Sequence, residues 1–404
     1  MKIYLVGGAV RDKLLGYPSD ENDWVVVGAS PKQMLDLKYT PVGKDFPVFL
    51  HPKTHEEYAL ARIERKTGQG YKGFACDVST TVTLEEDLSR RDLTINAIAE
   101  SDEGELTDPF NGRSDIDKRL LRHVSPAFSE DPVRILRLAR FAARYHHLGF
   151  TIAEETQTLI TNMVANGEAS HLVPERVWKE FSRALSERSP EVFITTLQSC
   201  GALKVIFPQL DALFTIANPN GDSSNTDNSN TLGQLALQYL QQACQTSEQV
   251  HIRCACLIFA ISLTDTKKSA DVKALCEALR VPNEVSELSI LLAQHADTIL
   301  RTTTLNPEEV LNLLQRVDAF RRAPRFEDLL LCCEALTKEL TSPLTTEPSQ
   351  AKQSQLLLQC LQAALAVDVQ SLVASGLKGA EIGKALFGKR IDIITEQIKA
   401  LTGN

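Results

Sequence analysis

The chain has 404 residues, 43% hydrophobic and 24% charged, with a formal net charge of −9. That length allows about two to four domains with proper cores, and the composition is that of a soluble globular protein. No uninterrupted apolar run approaches a membrane span, and nine scattered cysteines fit neither a zinc knuckle nor a disulfide framework, so buried thiols in a reducing cytoplasm are expected.

The N-terminus, MKIYLVGG, lacks a signal-peptide pattern and enters a strand at once, over residues 3–6. Gly7-Gly8 then predicts a tight turn that lets backbone N–H groups approach an anion. Residues 9–15 read as one helix ended by Gly16, with Arg11 and Asp12 in its first turn. A helix start after a glycine turn is a natural phosphate site. Beyond a turn at Tyr17-Pro18-Ser19, Asp23 opens a second apolar strand, residues 24–27. Glu21 and Asp23 share one face of an extended chain, roughly 6.5 Å apart along it. Asp20, at an odd spacing from Asp23, would point away on a regular strand and competes with Glu21 only if the turn tightens by one residue. Two carboxylates beside a phosphate cradle suit Mg²⁺-dependent phosphoryl or nucleotidyl transfer. Taken singly, each piece is equally well a turn and a solvated acidic loop.

The string GGAVRD-x-LLG-x4-END-WVVV is far more specific. It resembles the active-site motif of DNA polymerase β-type nucleotidyltransferases, and among these the class II tRNA nucleotidyltransferases, the bacterial CCA-adding enzymes, of gammaproteobacterial type. That family has Asp-x-Asp where this chain has Glu21-Asn22-Asp23.

Next, PKQMLDLKY reads as a helix, while PVGKDFPVFLHP and HEEYALARIE alternate like strands. Residues 63–74, IERKTGQGYKGF, lack periodicity and read as a mobile basic loop or an ordinary surface hairpin loop. The resemblance places there the family's flexible element for switching from CTP to ATP. Arg90-Arg91-Asp92 precedes a predicted apolar helix over residues 93–99, with Asp92 as its cap. A double arginine alone fits a solvated face. In context it looks like the family's R-R-D-x-x-x-N-A motif, including Asn96. The resemblance implies that Arg91 contacts the triphosphate and Asp92 the ribose hydroxyl, roles that a planar donor fork and a carboxylate acceptor can fill. ELTDPFNG predicts a strand end and a turn at Asn111-Gly112, and the family has a similar turn at its head–neck hinge.

Residues 129–147, SEDPVRILRLARFAARYHH, predict a helix starting at Asp131-Pro132. At 100° per residue, Arg134, Arg137, Arg140 and Arg144 fall within about a third of the circumference. Four arginines with no matching acid on the helix call for an anion. Asp131 and Arg134, one turn apart, offer an acceptor and a donor to a base edge. The segment resembles the family's E-D-x-x-R template, beginning at Glu130. By that resemblance Asp131 and Arg134 pair with the Watson–Crick edge of CTP or ATP, while Arg137 and Arg140 contact the nucleotide or its phosphates. Glu175, Arg176 and Glu180 match the next block, a neck brace with some RNA contact.

Between Lys204 and Arg253 there is no Lys or Arg at all, whereas arginines crowd between Arg113 and Arg144. Screening to about 10 Å lets such a local surface hold RNA on an acidic chain. From about residue 182 the sequence reads as helical to its end, with a polar loop at 218–231 and amphipathic helices at 353–365 and 382–401. Gammaproteobacterial relatives carry an HD phosphohydrolase domain in this half. Here Phe259 and Ala260 align with its metal-binding His-Asp pair. His251 and His295 read as lone helical histidines, and no four-ligand cluster can be built.

The expectation is an α+β protein: a small mixed-sheet nucleotidyltransferase head (1–120), a helical neck (121–205), and a helical body and tail with a degenerate HD-like region (206–404). The resemblance implies CCA addition to tRNA with CTP and ATP by a two-metal Mg²⁺ mechanism. Gly8, Arg11, Arg91, Asp92, Asp131, Arg134, Arg137 and Arg140 would bind the nucleotide, and Glu21 and Asp23 the metals. It further implies a cytoplasmic enzyme with no obligate protein partner and no phosphohydrolase activity. The rivals are A-only or CC-only addition, a poly(A) polymerase, and a non-catalytic tRNA-binding protein.

Overall fold

The computed structural model describes residues 1–17, 22–42, 47–66, 74–219, 231–264, 268–337 and 350–402. The chain forms two compact units, Met1–Ile206 and Phe207–Asn404.

In the first unit, β1 (Lys2–Val6) runs into α1 (Gly8–Leu15), and the chain returns antiparallel as β2 (Asp23–Val27), with Val6 opposite Asp23. Gly16 stops α1 in the left-handed conformation, φ 73°, while Tyr17 N–H donates to the Asp12 carbonyl at 2.8 Å. After α2 (Pro31–Asp36), β3 (Thr40–Val42) and β4 (Val48–Leu50), β5 (Glu57–Leu60) lies parallel to β2. β6 (Ile63–Lys66) and β7 (Phe74–Asp77) form a separate hairpin. α3 (Leu84–Ser89), β8 (Ala99–Ser101) and β9 (Leu106–Thr107) complete a seven-stranded mixed sheet in the order β3-β4-β5-β2-β1-β8-β9. The unbroken apolar run of β2 reflects burial on both faces. Val25 packs with Val6, Leu88 and Ala99, while Val26 packs with Met34, Phe49 and Leu60 on the other side.

Two expectations fail here. Residues 63–66 are strand rather than loop, because they pair with 74–77; the central part of the basic segment, 67–73, lies outside the described residues. Residues 93–99 do not form a helix. Only Thr94–Asn96 turn, as a short 3₁₀ segment. Leu93 is bridged to His123 and Ala99 pairs with Val6 on the edge of β1. With both ends committed to strand-like pairing, the stretch between is too short for i→i−4 bonding.

The helices that follow are α4 (Gly112–Asp117), α5 (Val133–Tyr145), α6 (Glu154–Ala165), α7 (Pro174–Ser186) and α8 (Glu191–Ser199). Gly112 sits against the 3₁₀ turn so tightly that a Cβ would lie 2.2 Å from the Thr94 carbonyl oxygen. Asn111 before it takes the expected positive φ, 59°. α5 buries Ile135, Leu136, Leu138, Ala139, Ala142 and Ala143 against neighbouring helices and turns its arginines the other way.

The second unit is helical among the described residues and shares one core, including Ile252, Phe259, Leu292, Leu314, Leu330 and Leu357. Residues Gln353–Ala374 reach a mean hydropathy of 1.6, but Gln, Ser and Asp368 interrupt the stretch, so it holds no uninterrupted apolar run of membrane-span length, as expected. They form two helices, Gln350–Leu365 and Val369–Ala374, and Leu356, Leu357, Cys360 and Leu361 are buried in that core.

Candidate active site

The turn between β1 and α1 fixes the first wall of a cavity of about 590 Å³. Gly7 adopts φ 70°, and a Cβ there would lie 2.9 Å from Nη1 of Arg91. Glycine is therefore required by the dihedral and by the close approach of the arginine. Gly8 begins α1 beside the same cavity, a helix start facing polar space. Asp23 opens β2 at the cavity mouth. The parallel register sets Glu57 of β5 directly beside it, and both side chains are exposed.

The opposite wall is built of arginines from α5 and α7 and the segment before β8. Their acids come from elsewhere in the unit, so the expectation of four arginines without acids is corrected. Arg137 Nη2 pairs with Asp92 at 2.7 Å, Arg140 Nε with Glu180 at 2.7 Å, and Arg144 Nη2 with Asp12 at 3.5 Å. Arg134 donates to the backbone carbonyls of Ala127, at 2.9 Å, and Arg90, at 2.6 Å. Asp131 accepts both forks of Arg176, at 3.1 and 2.8 Å, and also the Val133 N–H, which makes it the start signal of α5 as expected. A helix face seen alone cannot show partners that other elements deliver.

Asp92 is buried. Burial pushes its carboxyl up, but Arg137, Asn96 and the Leu93 N–H outweigh that and hold it well below the usual carboxylate range. Asp87 is likewise buried, yet Arg90 and Arg91 hold it below its ordinary value. Arg91 is pulled down by burial, with partial relief from Asp87. Arg11, 4% exposed, lies against the rings of Phe141 and Tyr145, at 5.2 and 5.3 Å.

Gly8, Arg11, Asp23, Arg91, Asp92, Asp131, Arg134, Arg137 and Arg140 all line this one cavity. Glu21, with the competing Asp20, lies outside the described residues. Reading the sequence missed Glu57, Arg62 and Arg90 as lining groups and gave Asn96 no role of its own. The signal for Glu57 was present: strand alternation in HEEYALARIE puts it in phase with Ala59. Its partnership with Asp23 needed the parallel β2–β5 pairing, which is not readable from the chain. Asp23 and Glu57 are hard oxygen donors at an open mouth, a donor set that fits Mg²⁺. Among the described residues no group of three or more His, Cys, Asp or Glu gathers as a metal site.

A mixed sheet with a glycine turn, a carboxylate-edged mouth and a guanidinium wall defines a nucleotidyltransferase head. Residues 3–122 match the model of the poly A polymerase head domain, and residues 149–214 that of the probable RNA and SrmB-binding site of polymerase A. The chain is 51% identical over 407 residues to the multifunctional CCA protein of Teredinibacter turnerae, covering 98% of this chain and 97% of that protein. It is 49% identical over 416 residues to that of Thioalkalivibrio sulfidiphilus, covering both chains in full, 100%. The fold is shared with the Bacillus stearothermophilus CCA-adding enzyme in complex with CTP, at a TM-score of 0.66 and 22% identity over 98% of this chain and 89% of that one. The Thermotoga maritima CCA-adding enzyme complexed with tRNA gives 0.64 at 19% identity, over 100% and 91%. The chain belongs to the family of multifunctional CCA proteins.

Proposed function

We propose that this protein adds the CCA sequence to the 3′ end of tRNA without a nucleic-acid template, using CTP and ATP and releasing pyrophosphate. The observation that carries the reading is the single cavity that joins a carboxylate mouth to an arginine wall containing Asp131 and Arg134. The tRNA 3′-hydroxyl attacks the α-phosphorus, and the bond to the bridging oxygen of the β-phosphate breaks. The turn at Gly8, with Arg11 and Arg91, holds the triphosphate, and Asp92 accepts from the ribose hydroxyl. Cytosine and adenine both present an exocyclic amino group, which Asp131 accepts, while Arg134 donates to the neighbouring ring nitrogen. Arg176 fixes Asp131 for that task, and Arg137 and Arg140 complete the wall around the nucleotide. Mg²⁺ would be held by Asp23 with Glu57 beside it and, by the motif, Glu21, and would supply positive charge against the triphosphate.

Asp23→Ala should abolish nucleotide incorporation and leave tRNA binding within a few-fold. Substantial residual turnover would place the reactive centre elsewhere.

Phosphohydrolase activity is absent in this reading, because the aligned positions carry no chelating atoms: Phe259 and Ala260 are buried apolar groups. The protein works in the cytoplasm, a setting that suits its eight described, unbridged cysteines.

A further inference from the structure

We infer that Asn96 is a positioning residue for the nucleotide, whose amide sets the spacing between Arg11 and Asp92. This rests on the nucleotidyltransferase reading above. Asn96 is 5% exposed and lines the cavity. Its Oδ1 accepts from Arg11 Nη1 at 2.5 Å, and its Nδ2 donates to Asp92 Oδ1 at 3.0 Å. The position therefore needs an acceptor at one end and a donor at the other. Aspartate offers two acceptors, leucine offers neither, and glutamine is one methylene too long.

The two groups that Asn96 joins are both tied to α5, Asp92 directly and Arg11 through its α1 neighbour Asp12. Asp92 takes Arg137, while Arg11 takes Asp12 at 2.8 and 3.0 Å. Asp12 in turn accepts from the Tyr145 hydroxyl at 3.0 Å and from Arg144. The bonds thus form a closed circuit from Arg137 through Asp92, Asn96, Arg11 and Asp12 back to Tyr145. The two ends on α5 are eight residues apart, about 12 Å along the axis. Asn96 is the one neutral member between Asp92 and Arg11. Without it the carboxylate and the guanidinium lose their fixed offset, although both keep an ionic partner. The consequence falls on alignment of the triphosphate against the ribose rather than on charge.

The test compares Asn96→Ala and Asn96→Asp with the parent, measuring CTP and ATP incorporation, tRNA affinity and melting temperature. Asn96→Ala should lower kcat/KM for both nucleotides by about 10- to 100-fold, with tRNA affinity within about 2-fold. Asn96→Asp is nearly isosteric and keeps Arg11, but sets a carboxylate against Asp92 until a proton is shared between them. Its surroundings are Arg11 and Asp12 from α1, Arg91 and Asp92 before it, and Arg137, Arg144 and Tyr145 from α5. The cations keep both carboxylates ionised across the assay range, so Asn96→Asp should lose kcat/KM by a similar factor at every pH from about 6 to about 9, with tRNA affinity within about 2-fold of the parent. A parent-like kcat/KM in either variant, or a loss of tRNA affinity as large as the loss of kcat/KM, would overturn the inference. A parent protein that incorporates nothing would instead sink the nucleotidyltransferase reading beneath it.

Discussion

At the scale of single residues, the site is a set of charges already paired before any nucleotide arrives. Arg137 and Asp92 illustrate the consequence. Asp92 is 7% exposed on its side chain and Arg137 is 37% exposed, so water takes part of the arginine's charge. Arg137→Ala should therefore cost about 1–3 kcal/mol, most of it from leaving the carboxylate without its ion partner. The pH dependence follows from the depressed Asp92 value. Its stabilisation is complete above the unfolded carboxylate value, about 3.9, and is lost as pH falls through the lower folded value. Urea unfolding should separate parent and variant near pH 7 and bring them together in strong acid. A gap that stays constant into acid would show that Asp92 is not the source. The chemical types at this scale were legible: Gly8, Arg11, Asp23, Arg91, Asp92, Asp131 and Arg134 were singled out from motif and family resemblance, and they line one cavity. Their partners were not, because Glu180 and Arg176 reach the site only through the packing of α7 against α5.

At the scale of elements, periodicity found what local bonding decides and missed what pairing decides. α1, α5 and β2 stand where the glycine stop, the Asp-Pro start and the valine run put them. The expected helix at 93–99 was lost to the free edge of β1, and the expected loop at 63–66 to a partner strand beyond it in sequence. In the second unit, the helix Val250–Phe259 ends on apolar groups packed in the core, with Phe259 5.9 Å from Tyr239. His251 is not the lone histidine expected, since its Nε2 lies 3.0 Å from Asp328 Oδ2 across to the helix Ala323–Thr337. A pair of this kind offers one nitrogen and one carboxylate, short of a hydrolytic metal site. The protein should show no metal-dependent phosphatase or 2′,3′-cyclic phosphodiesterase activity with Ni²⁺, Mn²⁺ or Mg²⁺ added. Activity that disappears in His251→Ala would overturn that expectation and relocate the hydrolytic centre to this pair.

At the scale of the whole molecule, two compact units divide after Ile206. The net charge of −9 conceals, in the first unit, a cavity lined by nine arginines, Arg11, Arg62, Arg90, Arg91, Arg134, Arg137, Arg140, Arg144 and Arg176. The acidic balance therefore says little about the surface that meets RNA and nucleotide. The central claim is that one site adds C, C and A in order. The most direct measurement is sequencing of tRNA 3′ ends after incubating a tRNA that stops at its discriminator base with the purified protein. CTP alone should give two added residues and stop, ATP alone should leave that tRNA unextended, and the two together should give CCA and no further growth. A long adenylate tail, or no extension of this tRNA with CTP, would contradict the account.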